Sequence, residues 1–183
     1  MRFSLNIIAR TLSKLIVFFT LLLIFVGALI KSHEVGLSVP DWPTSYGKKM
    51  FSFPFSEMIG GIFYEHGHRL FATVVGFLTL LQFIIISFSS YPSWVKKMSF
   101  VSLILVITQG LLGGITVIFF LPPSISILHG VLAQTFFVST IFIAYSLSNS
   151  RRSKSKTPYP LFIRRTTVTI TLLVFIQLIL GAL

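Results

Sequence analysis

The sequence contains no cysteine, and this absence limits the chemistry that the chain can perform. Without thiols it can form no disulfide, thiolate metal site or thiol nucleophile, so histidines, carboxylates and amides must supply any reactive groups. Acidic residues are also scarce, because the 183 residues include 4 aspartates and glutamates against 15 lysines and arginines. A carboxylate inside an apolar segment of this chain therefore stands out as a candidate functional group.

Charged residues of both signs are few. They make up 10% of the chain, whereas hydrophobic residues make up 54% and the mean hydropathy is +0.92. A soluble domain is about one quarter charged, so this composition indicates an integral membrane protein. A helix needs about 20 mostly apolar residues to cross a bilayer. Five stretches meet this length, at approximately 15–30, 62–90, 98–121, 124–147 and 163–183.

These stretches predict an all-α integral membrane protein, with a four-helix transmembrane bundle and a fifth transmembrane helix. Residues 1–150 would form the four-helix unit, with an outer loop at 31–61, and residues 151–183 a basic cytoplasmic linker followed by the fifth helix. The apolar run at 15–30 could also be the central part of a signal peptide. We favour a retained helix, because the later spans continue the same alternation of charge.

The net charge of +11 is concentrated in alternate connections between the spans. By the positive-inside rule, the N-terminus and these basic connections are cytoplasmic, as expected for a multi-pass protein of the bacterial inner membrane. The charge thus reflects topology, and we expect no nucleic acid partner. The basic residues are Arg2, Arg10, Lys14, Lys96, Lys97, Arg151, Arg152, Lys154, Lys156, Arg164 and Arg165.

Ionisable residues lie inside two of the spans. Glu65, His66, His68 and Arg69 fall near the start of the second span, and His129 falls near the start of the fourth. Ionisable groups are costly within a membrane, so they indicate function by default. Helical spacing places Glu65 and His68 on one face with small residues, towards the bundle interior. His66 points elsewhere, towards the interface or a crevice between helices.

The two histidines at 68 and 129 are predicted to lie at matching depths, about 9 Å inside the outer ends of their helices at roughly 1.5 Å per residue. Two neutral imidazoles that face each other across a bundle can supply both axial ligands of a haem iron. Alternatively, each histidine only forms a hydrogen bond to a neighbouring helix. No third histidine or carboxylate is evidently placed for a compact zinc site.

Other segments are less specific. Prolines restrict the outer loop around Asp41 and Trp42, which suits either an anchored surface loop or a cap over a pocket. In the third span, Gly110 and Gly114 have the spacing of a helix contact. We expect Gln109 and Gln134 mainly to join helices.

The first and fifth spans end alike, as FVGAL at 25–29 and ILGAL at 179–183. Internal repeats of this kind are frequent in membrane proteins. The fifth span is therefore interpreted as the start of a second four-helix repeat, which this sequence truncates.

Four segments together resemble haem A synthase, the cytochrome oxidase assembly family. They are GLSVPDWP at 36–43, GGIFYEHGHRL at 60–70, QGLLGGIT at 109–116 and the 126–134 stretch around His129. The resemblance implies eight helices in two similar halves, of which this chain matches the N-terminal half and the next helix. It also implies oxidation of the haem O methyl group to the formyl group of haem A, for cytochrome oxidase assembly.

The resemblance assigns roles to individual residues. It implies that His68 and His129 are the axial ligands of the substrate haem iron and that Glu65 is catalytic, and charge complementarity suggests that Arg69 pairs with a haem propionate. Family members also hold haem B in a second half that is missing here. Some carry a cysteine pair in the outer loop, whereas this chain has Val39 and Ser45 in that region.

The expected partners are membrane lipid, haem O, a haem O synthase and an electron donor. A separate C-terminal half or a homo-oligomer could complete the unit. Two other functions remain open: a non-catalytic b-type cytochrome or haem carrier, which needs the histidines but not Glu65, and a structural assembly subunit. The sequence does not assign roles to His33 and His66.

Overall fold

The computed structural model describes residues 2–149 and 160–182, and most of them lie in helices. Five helices of this described part are long and apolar enough to cross a membrane, which confirms the predicted all-α integral membrane protein. The basic linker residues Arg151, Arg152, Lys154 and Lys156 lie outside the described residues, as does Leu183. The elements in chain order are α1 (Arg2–Ser32), β1 (Thr44–Ser45), β2 (Lys48–Lys49), α2 (Gly61–Ser87), α3 (Ser93–Ile118), α4 (Pro123–Leu147) and α5 (Leu161–Ala182).

Helices α1 to α4 form a bundle in which each helix packs mainly against two others. Both α1 and α3 contact α2 and α4, so α2 and α4 lie diagonally opposite each other across the bundle. Helix α5 packs against the outside of α4, and its side chains are almost all exposed. The two predicted haem-ligand histidines therefore lie on diagonal helices of one bundle.

Helix α1 begins 13 residues before the apolar stretch that we predicted at 15–30. The added part includes Arg10 and Lys14, which are good helix formers and can extend their charged ends towards the membrane surface. Hydropathy identifies the lipid-soluble part of a helix, so it missed this polar beginning. Helix α4 starts at Pro123, which occupies a position where its missing N–H costs nothing.

The two ends of the bundle differ in character. One end is formed by the start of α1 and the end of α2. There an apolar cluster is buried together with polar side chains that form hydrogen bonds. Gln82, for example, donates to the Ser13 hydroxyl at 2.8 Å. Such packing and hydrogen bonds hold membrane helices together. The other end, next to the long α1–α2 loop, buries Glu65, His66 and Arg69. The buried ionisable side chains of the described residues thus lie together at one end.

Candidate functional site

Two histidines lie within the bundle near its polar end. His68 is seven residues into α2 and His129 is six residues into α4, which corresponds to depths of about 10 Å and 9 Å along the helices. The predicted match in depth therefore agrees with the observed helix starts. The Nδ1 atoms of both rings are buried and have no hydrogen-bond partner within the described part of the chain. The two imidazoles are also close enough to interact electrostatically.

Each of these histidines lies against a glycine of the preceding helix. A Cβ atom added to Gly27 of α1 would come within 3.3 Å of His68 Cε1, and one added to Gly113 of α3 would come within 3.2 Å of His129 Cε1. We call these the two glycine contacts. A larger residue at either position would press on the ring, so each glycine leaves room for the neighbouring imidazole. The pair α3–α4 thus repeats the arrangement of α1–α2.

The expected helix contact at Gly110 is wrong, because an added Cβ there would meet nothing within 4 Å. The glycines that allow close approach are Gly113, against His129, and Gly114, against Trp42. Gly110 lies one turn earlier on the same face of α3. Gln109 joins helices as expected, with its side-chain amide donating to the His129 carbonyl at 2.8 Å. Gln134 instead lines a cavity of about 540 Å³ between α4 and α5.

Glu65 lies one helical turn before His68 and is only 4% exposed. Its Oε1 accepts a hydrogen bond from Arg69 Nη2 at 2.6 Å, and its Oε2 accepts one from the Val39 backbone N–H at 2.8 Å. Arg69 is four residues along the same helix, a spacing at which opposite charges attract. The carboxylate is therefore held by a positive charge and by the loop above it.

Arg69 also donates to three backbone carbonyls of the α1–α2 loop. Its guanidinium contacts the Val39 and Asp41 oxygens at 2.7 Å and the Thr44 oxygen at 3.2 Å. The side chain is 9% exposed. The structure thus places Arg69 between Glu65 and the loop, and its pairing with a haem propionate stays a prediction. This role of Arg69 was not predicted from the sequence, although its four-residue spacing from Glu65 is typical of an ion pair on one helix.

His66 is fully buried, with 0% of its surface exposed. Its Nδ1 lies 2.9 Å from the Ser45 hydroxyl, and its ring packs on Phe53 at 4.8 Å between centroids. Of the two places that we expected for His66, the structure favours a crevice, which the loop covers. His33, by contrast, is exposed and stacks on Tyr64 with 5.5 Å between the rings.

Residues 38–49, which we call the cap, fold over this end of the bundle. The Asp41 carboxylate accepts hydrogen bonds from the Thr44 hydroxyl and from the Tyr46 and Gly47 backbone N–H groups. Burial alone would raise the pKa of Asp41, but these bonds outweigh it and hold the pKa below its ordinary value. The short pairing of β1 with β2 closes the turn. The contacts show a loop anchored on the bundle, and its role as a cap over a pocket stays a prediction.

Trp42 attaches the cap to α3. Its indole lies so close to Gly114 that an added Cβ would fall 2.5 Å from two ring atoms. Gly114 follows Gly113, which contacts His129, so the indole and the imidazole lie against neighbouring residues of one helix. The cap is thus held over both α2 and α3, next to the two histidines.

The residues present suit a haem better than a metal ion held by protein alone. Among the residues that the structure describes, no three histidine, aspartate or glutamate side chains lie together as a metal site. A haem needs only two axial ligands from the protein, because the porphyrin supplies the others. Two half-buried imidazoles, on diagonal helices and each beside a glycine, fit that need.

Comparison with known proteins gives a consistent result. Residues 10–183 match the family model described as cytochrome oxidase assembly protein. The chain is 28% identical over 155 residues to a haem A synthase of Shewanella oneidensis, which covers 77% of this chain and 46% of that protein. It is 27% identical over 158 residues to a haem A synthase of Bacillus pumilus, with coverage of 84% and 50%. The chain thus spans about half the length of the curated relatives it matches. No solved structure matches the chain.

Proposed function

The chain belongs to the cytochrome oxidase assembly protein family of haem A synthases, and we propose that it binds haem O and takes part in oxidising it to haem A. The observation that carries this proposal is the position of Glu65 one turn from His68, with His129 at a similar depth on the diagonal helix. In this arrangement a carboxylate lies beside the space between two imidazoles.

His68 and His129 would hold the substrate haem through its iron. The helices α2 and α4 carry the two rings on opposite sides of the bundle, and Gly27 and Gly113 leave room beside each ring. The Gln109 amide holds the backbone carbonyl of His129 at 2.8 Å. This bond positions the backbone that carries His129 before haem binds, which lowers the entropy that binding must remove.

Glu65 would act on the methyl group that becomes the formyl group. This conversion replaces two hydrogens of the methyl carbon by one oxygen. Two successive hydroxylations would consume two molecules of O2, four electrons and four protons, and would release three molecules of water as the methyl group becomes the formyl group. A carboxylate beside the reacting carbon can accept or return a proton. The guanidinium of Arg69, 2.6 Å away, compensates the charge that Glu65 carries within the bundle. The electrons would come from the electron donor, which lies outside the described residues.

The cap would limit the access of water to this reaction. The side chains of Arg69 and His66 bind it to α2, and Trp42 holds it against α3. Exclusion of water strengthens electrostatic interactions within a site and prevents side reactions. In the proposed topology the cap lies outside the bacterial inner membrane, since Arg10, Lys14 and the Lys96–Lys97 pair all lie at the opposite end of the bundle.

Helix α5 would belong to a second unit of the same kind. Its segment ILGA at 179–182 matches FVGA at 25–28, so Gly181 holds the position on α5 that Gly27 holds on α1. An added Cβ at Gly181 would meet nothing within 4 Å. Because Gly27 contacts His68, we expect Gly181 to contact a histidine of a partner helix. Such a unit would hold haem B and deliver electrons. It would come from a longer chain, a separate polypeptide or a second copy.

One observation favours a second function, that of a non-catalytic haem carrier or b-type cytochrome. Both oxygens of Glu65 already accept hydrogen bonds, from Arg69 and from Val39, as they would if the carboxylate only held the cap. A carrier of this kind needs His68 and His129 but does not need Glu65 as a reactive group.

The experiment that separates these functions is mass identification of the haem extracted from the purified chain after co-expression with a haem O synthase. The proposed enzyme yields haem A or a hydroxylated haem O, and Glu65→Gln yields only haem O. A carrier yields haem O in both chains. Absence of haem from the native chain, or an unchanged haem spectrum in His68→Ala and His129→Ala, would refute both functions and leave a structural subunit.

A further inference from the structure

An aromatic patch lies on the outer side of the α1–α2 loop, beyond the cap. It consists of Phe51, Phe55 and Ile59, which are 74%, 82% and 73% exposed. Two short 3-10 turns, Met50–Ser52 and Phe55–Glu57, present these side chains. Phe53 between them points the other way, since it is 6% exposed and packs on His66. The segment therefore has one side packed on the protein and one apolar side without a protein contact.

The aromatic patch continues the lipid-facing surface of α2. Ile59 precedes the first residue of that helix by two positions, and Phe63 in its first turn is 58% exposed. Because α2 crosses the membrane, an exposed Phe63 at its end lies at the level where hydrocarbon meets the headgroups. The patch thus begins at the membrane surface.

Positive charge accompanies the aromatic patch. Lys48 forms an ion pair with Glu57 at 2.7 Å and lies over the Phe53 ring at 5.5 Å, so its charge is already compensated. Lys49 is exposed, and no acidic side chain pairs with it in the part of the chain that the structure describes. Aromatic residues with free lysines are typical of segments that lie on anionic lipid surfaces.

From these observations we propose that residues 48–59 form an interfacial membrane anchor. Phe51, Phe55 and Ile59 enter the boundary between headgroups and acyl chains, and Lys49 lies at anionic headgroups. The anchor shares Lys48 and Lys49 with the cap, and Lys48 of β2 pairs with Ser45 of β1. Ser45 in turn forms a hydrogen bond with the His66 ring of α2. Lipid binding would therefore hold the cap against α2.

The lack of cysteine allows a clean test of this anchor. A spin label is attached to single cysteines in the variants Phe51→Cys and Phe55→Cys, with the neighbouring exposed serines as controls in Ser52→Cys and Ser56→Cys. The full chain is placed in nanodiscs of phosphatidylcholine and phosphatidylglycerol in equal parts. Collisions of the label with oxygen, which concentrates in lipid, and with a water-soluble nickel chelate then report its depth.

The anchor predicts that labels at 51 and 55 collide several-fold more with oxygen than with nickel, and that labels at 52 and 56 show the reverse. More nickel than oxygen at 51 and 55 would mean that water surrounds the aromatic patch and would overturn the proposal. Low collision with both reagents would also overturn it, because another protein surface would then cover the patch.

Lys49 provides an independent test of the lipid partner. In nanodiscs of phosphatidylcholine alone, the label at 55 should lie less deep than in the mixed nanodiscs. The added variant Lys49→Gln should abolish this difference, whereas Lys97→Gln, which removes an exposed charge at the other end of the bundle, should preserve it. A depth that does not depend on phosphatidylglycerol would refute the role of Lys49. These measurements need no haem, so their outcome is separate from that of the proposed enzyme.

Discussion

Substitution of Gly113 by alanine tests whether the glycine contacts determine haem binding. The added methyl carbon would lie 3.2 Å from His129 Cε1 and 3.8 Å from its Nδ1. Carbon atoms in contact prefer about 3.5–4.0 Å, so the imidazole would have to move by a few tenths of an ångström. In the free protein the ring can turn to relieve the contact. A ring bound to iron cannot, so the cost falls mainly on the bound state.

The expected loss of affinity follows from this overlap. Overpacking by one methyl group costs about 1–3 kcal/mol in a well-packed interior. If the whole cost falls on the bound state, the dissociation constant rises by about 5-fold to 150-fold. The helix itself should not weaken, because alanine is a better helix former than glycine by about 1 kcal/mol.

The assay is a titration of the haem-free chain with haem B as the probe, followed by the absorption band of bis-histidine haem. Gly110→Ala is the matched control, because it lies on the same helix and its added Cβ meets nothing within 4 Å. Gly27→Ala, whose Cβ would lie 3.3 Å from His68, should weaken binding to a similar extent. Equal affinity of Gly113→Ala and Gly110→Ala would refute the reasoning.

Three further substitutions test the polar network. Arg69→Gln should destabilise the chain by about 3–5 kcal/mol by leaving Glu65 uncompensated, and the double variant with Glu65→Gln should recover much of this loss in detergent unfolding. Asp41 has a lowered pKa, so its contribution to stability exists above the ordinary value of 3.8 and disappears as pH falls through the folded pKa. The difference in unfolding temperature between the native chain and Asp41→Asn should shrink accordingly, and a difference that persists at lower pH would contradict this. Gln109→Leu removes the bond to the His129 carbonyl and should cost about 0.6 kcal/mol in the same unfolding assay, whereas a loss of several kcal/mol would indicate a larger role.

The sequence predicted the features that depend on one helix at a time. Hydropathy located all five spans, and the distance of His68 and His129 from their helix starts followed from the constant rise of an α-helix. Hydropathy did not predict the start of α1 at Arg2. It measures solubility in lipid, whereas a helix can continue beyond the lipid into water.

Features that depend on what packs against a helix could not be predicted. The spacing of Gly110 and Gly114 predicted a helix contact, yet the groups that pack on this face of α3 are His129 at Gly113 and Trp42 at Gly114. Gly110 lies one turn earlier on the same face, where an added Cβ would meet nothing within 4 Å. The hydrogen bond between Ser45 and His66 joins residues 21 positions apart across an irregular loop, so no periodic sequence pattern predicts it. The four-residue spacing of Glu65 and Arg69 was enough to predict their ion pair. The hydrogen bonds from Arg69 to three loop carbonyls could be seen only in the folded structure.

The cap makes the two sides of the proposed site different, whereas the helices alone would leave them nearly symmetrical. The pair α1–α2 presents His68 against Gly27, and α3–α4 presents His129 against Gly113, so a flat ligand between the rings would find similar contacts in two flipped orientations. The connections differ, because the α1–α2 loop is long enough to form the cap whereas α3 and α4 are joined by a short turn. Only α2 therefore buries a carboxylate, Glu65, under that loop. The proposed oxidation of one methyl group of a haem would need such an inequality between the edges of the haem, and the cap would supply it.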